Sequence, residues 1–256
     1  MDALANTAAG GIAQTAQLQQ MLANDIANIS TPGFKRALIT ATLSAVKIDG
    51  PGFDTRFVST NSNDSSLSLA PGPITYTGSQ LDIAMQGSTV LGVTAPNGDL
   101  AFTRRGDLQV NSAGQLQTGA GDLVQGASGP ITVPAGASVT LTGDGSVFAS
   151  NPNGGPNVPP VLVGRLMLRD ASTTPLKLRG DGLLTPAGAQ PGTPADITSG
   201  PTPPSVSVGS IENSNVSISE SIVKMIALSR SFEAGVKLIK EAKDLDASGA
   251  SMMKLS

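Results

Sequence analysis

Residues 1 to about 30 lack proline and place their larger apolar side chains at helical spacing: Leu4, Ala8, Ile12, Leu18, Leu22, Ile26 and Ile29. With Thr15 filling the missing step, seven steps cover 25 residues, or 3.57 residues per step. That value lies between the coiled-coil repeat and the free helix, and it predicts an amphipathic helix. Its other face is Asn, Gln and Thr instead of charge, and Pro32 and Gly33 are its stop. A second stripe near the other end, Ile218, Ile222, Met225, Ser229, Phe232, Val236 and Ile239, takes six steps in 21 residues. Ser217-Ile218-Ser219-Glu220 before it reads as a capping box, and Glu220–Lys224 and Glu233–Lys237 are i,i+4 pairs in the favourable order. Gly249 is the expected end of this helix.

Between the two stripes the period changes. Leu81–Met85, Ser138–Thr142 and Val161–Leu168 are short apolar or alternating runs bounded by turn residues, as in β-strands. Asn97-Gly98 and Asp144-Gly145 fit the left-handed positions of tight hairpins, and Asp181-Gly182 is a further turn. Tyr76 reads as a half-buried strand residue. Residues 186–204, rich in Pro, Gly, Thr and Ala, read as a linker or an extended rim segment. Residues 35–70, polar with scattered Phe53 and Phe57, are expected to be extended or to order only on assembly. No fixed period marks a solenoid.

Composition narrows the chemistry. The 256 residues carry 16 Lys+Arg and 19 Asp+Glu, a net charge of −3, and contain no His, Cys or Trp. Serine–histidine and cysteine–histidine triads, imidazole bases and zinc sites built from Cys or His are therefore excluded. Mild acidity argues against nucleic-acid or anionic-membrane surfaces, which need clustered cations. No 18-residue apolar run is present, and the first basic residue is Lys35, so no basic leader precedes an apolar stretch. Of Arg104 and Arg105, one is expected to pair with Asp82 or Asp107 and the other to be solvated. Gly143-Asp144-Gly145 lacks the carboxylates of a calcium loop, and Asp170 and Asp181 read as ordinary turn acids, not a glycosidase pair. Seven aromatic residues are too few for the platforms of a secreted carbohydrate-binding module or β-rich enzyme. A phage-tail or adhesin fibre would show repeats.

Four segments carry a resemblance. Leu22-Ala-Asn24-Asp25-Ile-Ala-Asn28-Ile-Ser-Thr31-Pro-Gly33-Phe34-Lys35-Arg36 resembles the N-terminal signature of the flagellar rod and hook proteins, with Asp25 where that signature has Asn. Gly78–Gly87, containing Leu81-Asp82, and Phe102-Thr-Arg104-Arg105-Gly106 are similar to two internal motifs, although Ser88-Thr-Val-Leu replaces the usual G-F-F. Gly209-Ser-Ile-Glu212-Asn-Ser214-Asn215-Val216 is similar to the segment that opens the C-terminal helix. Met225–Glu233 looks like the proximal rod subtype more than the distal one.

The resemblance implies a structural, non-enzymatic subunit of the bacterial basal body, without catalytic residues, cofactor or metal. It implies an α+β fold in which paired, coiled-coil-like N- and C-terminal helices flank a β-rich central domain. The expected divisions are 1–33, 34–70, 71–205 and 206–256: first helix, connecting segment, outer domain and second helix. Implied partners are other rod subunits, copies of the same chain and the flagellar type III export apparatus, with no nucleic acid and no membrane insertion. The implied location is the flagellar basal body in the periplasm, reached without leader cleavage. Intersubunit contacts are expected at Leu4, Ile12, Leu18, Leu22, Ile26, Ile29, Ile218, Ile222, Met225, Phe232, Val236 and Ile239. The motif residues are Asn24, Asn28, Thr31, Gly33, Phe34, Glu212, Ser214, Asn215 and Val216.

Overall fold

In a computed structural model the chain is described over residues 2–47, 57–151, 159–190 and 195–253. Helix α1 (Asp2–Ala27) and helix α2 (Ile218–Met253) enclose a run of strands. Strands β1 (Ala37–Lys47) and β2 (Phe57–Leu67) form a two-stranded ribbon, so much of 35–70 is regular β structure; Phe53 lies outside the described residues. Next come β3 (Ile74–Tyr76), β4 (Ile83–Met85), β5 (Thr89–Thr94), β6 (Leu100–Thr103), β7 (Leu108–Val110) and β8 (Leu116–Thr118). Strands β9 (Leu123–Gly126), β10 (Gly129–Pro130), β11 (Ser138–Leu141), β12 (Ser146–Ser150) and β13 (Val161–Arg165) follow. The last five are β14 (Leu168–Asp170), β15 (Leu176–Leu178), β16 (Leu184–Pro186), β17 (Val206–Val208) and β18 (Ser210–Glu212).

Contacts divide the chain into two compact units. The first comprises 1–28, 41–64 and 216–256, and within it α1 and α2 pack on each other. The covered face of α2 carries Ser221, Met225, Leu228, Phe232, Gly235, Ile239 and Ala242, alternating steps of four and three. A Cβ at Gly235 would stand 2.8 Å from Ile12 Cγ1, so the absence of a side chain there lets α1 approach. Ser217 begins α2 by accepting the Ser221 and Glu220 N–H groups at its carbonyl and hydroxyl, at 3.0 and 3.5 Å. Glu220 meets Lys224 at 2.5 Å, whereas Lys237 reaches Glu241 at 3.9 Å and not Glu233. The helix runs through Gly249 to Met253, since glycine weakens but does not end a helix that other turns support.

The second unit comprises 29–40 and 65–215 and is built on antiparallel sheets. Its largest follows the order β15-β16-β6-β5-β9-β8-β7, with β10 on β9 and β14 on β5. Strand β5 is covered on both faces: Leu91 and Val93 enter a large core, and Val90 joins Phe102, Ala171, Leu176, Leu184 and Ile197 in a second cluster. That double burial is why its sequence is nearly all apolar instead of alternating. By contrast β11 and β12 cover one face each, so Val139, Leu141, Val147 and Ala149 point in and the residues between them outward. The three sequence-predicted turns form as expected, with Gly98, Gly145 and Gly182 at φ of +86°, +82° and +83°. Tyr76 is a correction: it is 80% exposed, because β3 pairs only with β18 in a two-stranded ribbon that buries neither face of Ile74–Tyr76.

The 186–204 segment is also not a loose linker where it is described. Ile197 is buried in the second cluster, and Arg169 grips Asp196 through two bonds of 3.1 and 2.9 Å. Asp170, buried instead of lying on a turn surface, accepts the Ser172 N–H and hydroxyl and the Thr202 N–H at 3.0, 2.9 and 3.1 Å. Burial opposes its ionisation, but these donors outweigh burial and hold its carboxyl below the usual range. Asp181 does behave as a turn acid, capping the Leu183 N–H and pairing with Arg179.

Candidate functional site

The four sequence motifs meet at one place in the second unit, three of them through charged side chains and Gly78–Gly87 through its backbone carbonyls. Lys35 from the first, Arg104 from the Phe102–Gly106 segment and Glu212 from the last form a buried ion cluster, each side chain fully inaccessible to solvent. Local structure delivers each. Gly33 sits at φ +70°, and its N–H bonds the Glu212 carbonyl at 2.7 Å, which turns the chain so that Phe34 and Lys35 face inward. A Cβ on Gly33 would lie 2.2 Å from the Arg104 backbone, so no other residue fits. Arg104 follows β6, whose Phe102 points into the second cluster, and shares that residue's parity. Glu212 ends β18, paired with β3.

The cluster is completely satisfied. Glu212 Oε1 accepts from Lys35 Nζ at 2.6 Å and from the Gly72 N–H at 2.9 Å; Oε2 accepts from Arg104 Nε and Nη2 at 2.9 and 2.7 Å. Arg104 uses its remaining donors on the carbonyls of Met85, Gly87 and Thr89, at 2.9, 2.7 and 3.0 Å. All five guanidinium N–H groups are thus engaged, a number lysine cannot supply. Lys35 also donates to the Ala70 carbonyl at 2.8 Å. One anion between two cations leaves an excess positive charge, which these inward-pointing carbonyl dipoles offset. Burial, with help from the Arg104 charge, draws the Lys35 amine below its ordinary pKa, against the pull of Glu212.

Beside the ions, Asn215 completes a clasp. Its Oδ1 accepts the Arg36 N–H at 2.9 Å, its Nδ2 donates to the Ser68 and Ala70 carbonyls, and its own N–H bonds the Phe34 carbonyl at 3.3 Å. Residues 33–36, which begin six residues after the end of α1, and residues 212–215, which end three residues before the start of α2, are thereby stapled together. Arg105, not Arg104, makes the expected surface pair, holding Asp107 at 2.6 and 2.8 Å. Arg104 is not solvated, which corrects the sequence expectation: a carboxylate 108 residues away claims it.

The other motif residues surround the clasp or precede it. Phe34, Ser214 and Val216 are buried, Asn28 and Thr31 are half-buried, and Asn24 is exposed, its carbonyl accepting the Asn28 side-chain amide at 3.0 Å. Along the helices, Leu22 is buried; Ile12, Leu18, Ile26, Ile29, Met225, Phe232 and Ile239 are half-buried; Ile218, Ile222 and Val236 are exposed. The Leu4 side chain lies outside the described residues. Sequence reasoning passed over Lys35 and Arg104 as sites. A signal existed: in a chain only 14% charged, Arg104 closes an apolar strand on the inward parity, and Glu212 is the one glutamate outside the helical stretch.

Comparison with known families places these elements. Residues 6–35 match the family model for flagella basal body rod proteins, 84–149 the D1 domain of the flagellar hook protein FlgE/F/G, and 207–252 the C-terminal part of flagellar basal body rod FlgEFG proteins. The chain belongs to the flagellar basal-body rod and hook protein family. Within that family it is similar to the flagellar basal-body rod protein FlgF of Salmonella typhimurium, 38% identical over 258 positions covering the whole of both chains. It is 35% identical over 244 positions to FlgF of Escherichia coli, covering 95% of each.

Proposed function

We propose that this protein is a structural subunit of the proximal rod of the bacterial flagellar basal body, with no enzymatic role. The observation that carries the reading is end-to-end similarity to rod protein FlgF, with family matches on both helices and the β-rich middle between them. A rod transmits torque, so its subunits need extensive interlocked contacts, and head-to-tail contacts that do not close into a ring build a tube. The apolar helix stripes supply the adhesion, each buried Leu, Ile or Phe contributing about 1.5–3 kcal/mol before ordering costs. Ile218, Ile222 and Val236 present such side chains to the exterior, available to helices of other rod subunits and copies of this chain. In the assembled tube the helices, 1–33 and 206–256, pair in coiled-coil fashion and line the interior, while 71–205 lies outside and 34–70 connects them. Export through the flagellar type III apparatus without leader cleavage, and residence in the periplasm, complete this reading. The polar Gln, Asn and Thr face of α1 suits a wet channel that other chains traverse. Purification of intact basal bodies from cells carrying an epitope-tagged chain tests the assignment. The tag is expected in the rod fraction, and its absence from basal bodies that still contain a rod would overturn it.

A further inference from the structure

The last part of the second unit lies across its earlier parts like a strap. Ile197 plugs the cluster formed by Val90 and Phe102, and the Ser205 carbonyl accepts the Gln86 N–H at 3.0 Å. Strand β17 then supplies the pairing partner of β4, a strand buried at every residue, and β18 brings in Glu212. Among the described residues Glu212 is the one carboxylate bonded to either Lys35 or Arg104. Before residue 212 docks, burying those two cations would place both in the interior with no counter-ion, which is strongly unfavourable.

We propose that residues 195–215 are a closing strap, and that the β-rich unit cannot complete its fold until this segment docks and Glu212 neutralises Lys35 and Arg104. The unit contains its own completeness check. A chain lacking its C-terminal part lacks both the strands that pair with β4 and β3 and the anion that, among the described residues, pairs with Lys35 and Arg104, so it cannot present a finished domain. Short-range hairpins such as β11–β12 are exempt, because their bonds are local. This device goes beyond the rod reading and does not depend on it.

Refolding of the full-length chain from urea, with pulse-labelled amide exchange read by mass spectrometry, tests it. Protection at 83–85 and 101–104 is expected to appear at the same rate as at 206–212, within about twofold, while 138–150 is protected earlier. Protection of 83–85 and 101–104 about tenfold or more ahead of 206–212 would overturn the proposal, because the interior would then close without its anion. The measurement uses the isolated wild-type chain, so its outcome is separate from rod membership and from any variant's ability to fold.

Discussion

Replacing Glu212 with Gln changes one atom type at the centre of the clasp. The amide has the volume of the carboxylate, so packing is preserved and the charge effect is isolated. The Glu212 carboxylate accepts four hydrogen bonds, three from charged donors, and Gln offers only one acceptor oxygen in its side chain. If that oxygen faces Arg104, the Gln N–H groups confront Lys35 Nζ and the Gly72 N–H; the opposite flip sets them against the guanidinium. Removing one partner of a buried ion pair costs about 3–5 kcal/mol, and here one anion serves two cations, so the upper half of that range applies. A single domain has roughly 5–15 kcal/mol in total, so the loss is a large share of the whole. With a urea slope of about 2 kcal/mol per molar, the unfolding midpoint of the β-rich unit should fall by about 2 M. The assay is urea titration of the full chain followed by far-ultraviolet circular dichroism, with amide exchange at 83–104 to report on this unit. A midpoint within about 0.5 M of the wild type would refute the claim that the cluster is a completed buried network.

Other outcomes follow from the same geometry. Arg104→Lys should destabilise the unit by about 2–4 kcal/mol in the same titration, since at least two of the five hydrogen bonds to Met85, Gly87, Thr89 and Glu212 are lost. Gly33→Ala forces a side chain into the Arg104 backbone at positive φ, and thermal melting should show a loss of about 2 kcal/mol or more. Asp170 has its folded pKa held below the unfolded value of 3.8, so its contribution is full above that pH and is lost as pH falls through the folded value. Acid titration should therefore free the 195–204 segment to exchange as the pH falls from 3.8 through the folded value, and Asp170→Asn should expose it at neutral pH. Asp144, with its carboxyl drawn down to about 2 by Thr142 and Ser146, should titrate within the same acid window by NMR without releasing that segment. Ile222→Asp should leave the thermal transition of the isolated chain unchanged within about 0.5 kcal/mol, because the side chain is half exposed, yet block incorporation into the rod.

What could be read from the sequence was what local chemistry decides. Asn97-Gly98, Asp144-Gly145 and Asp181-Gly182 announce their turns because positive φ is a property of the residue itself. The helices are legible from their stripes, but the covered face of α2 is shifted from the sequence-assigned one. Ser221, Leu228 and Gly235 lie on the covered face, with Gly235 against Ile12 of α1, whereas Ile218 and Val236 are exposed, because small residues decide how closely two helices approach. The clasp was not legible. Its bonds join residues 177 and 108 positions apart, and only the tertiary fold decides that Arg104, and not Arg105, is turned inward. Tyr76 was misjudged for a related reason: alternation marks a strand but does not say whether a second layer covers it. Asp170 and Ile197 look like loop residues until the segment carrying Ile197 is seen lying across β14.

On the proposed function, apolar side chains along the two terminal helices find their partners on other molecules of the rod. An electron cryomicroscopy map of the intact basal body, resolved to side chains, tests it directly. Ile218, Ile222 and Val236 are expected to be buried against helices of neighbouring subunits, with the Lys35–Glu212–Arg104 cluster unchanged inside each β-rich unit. Helices whose apolar faces contact only their own chain, with these three side chains still in solvent, would contradict it.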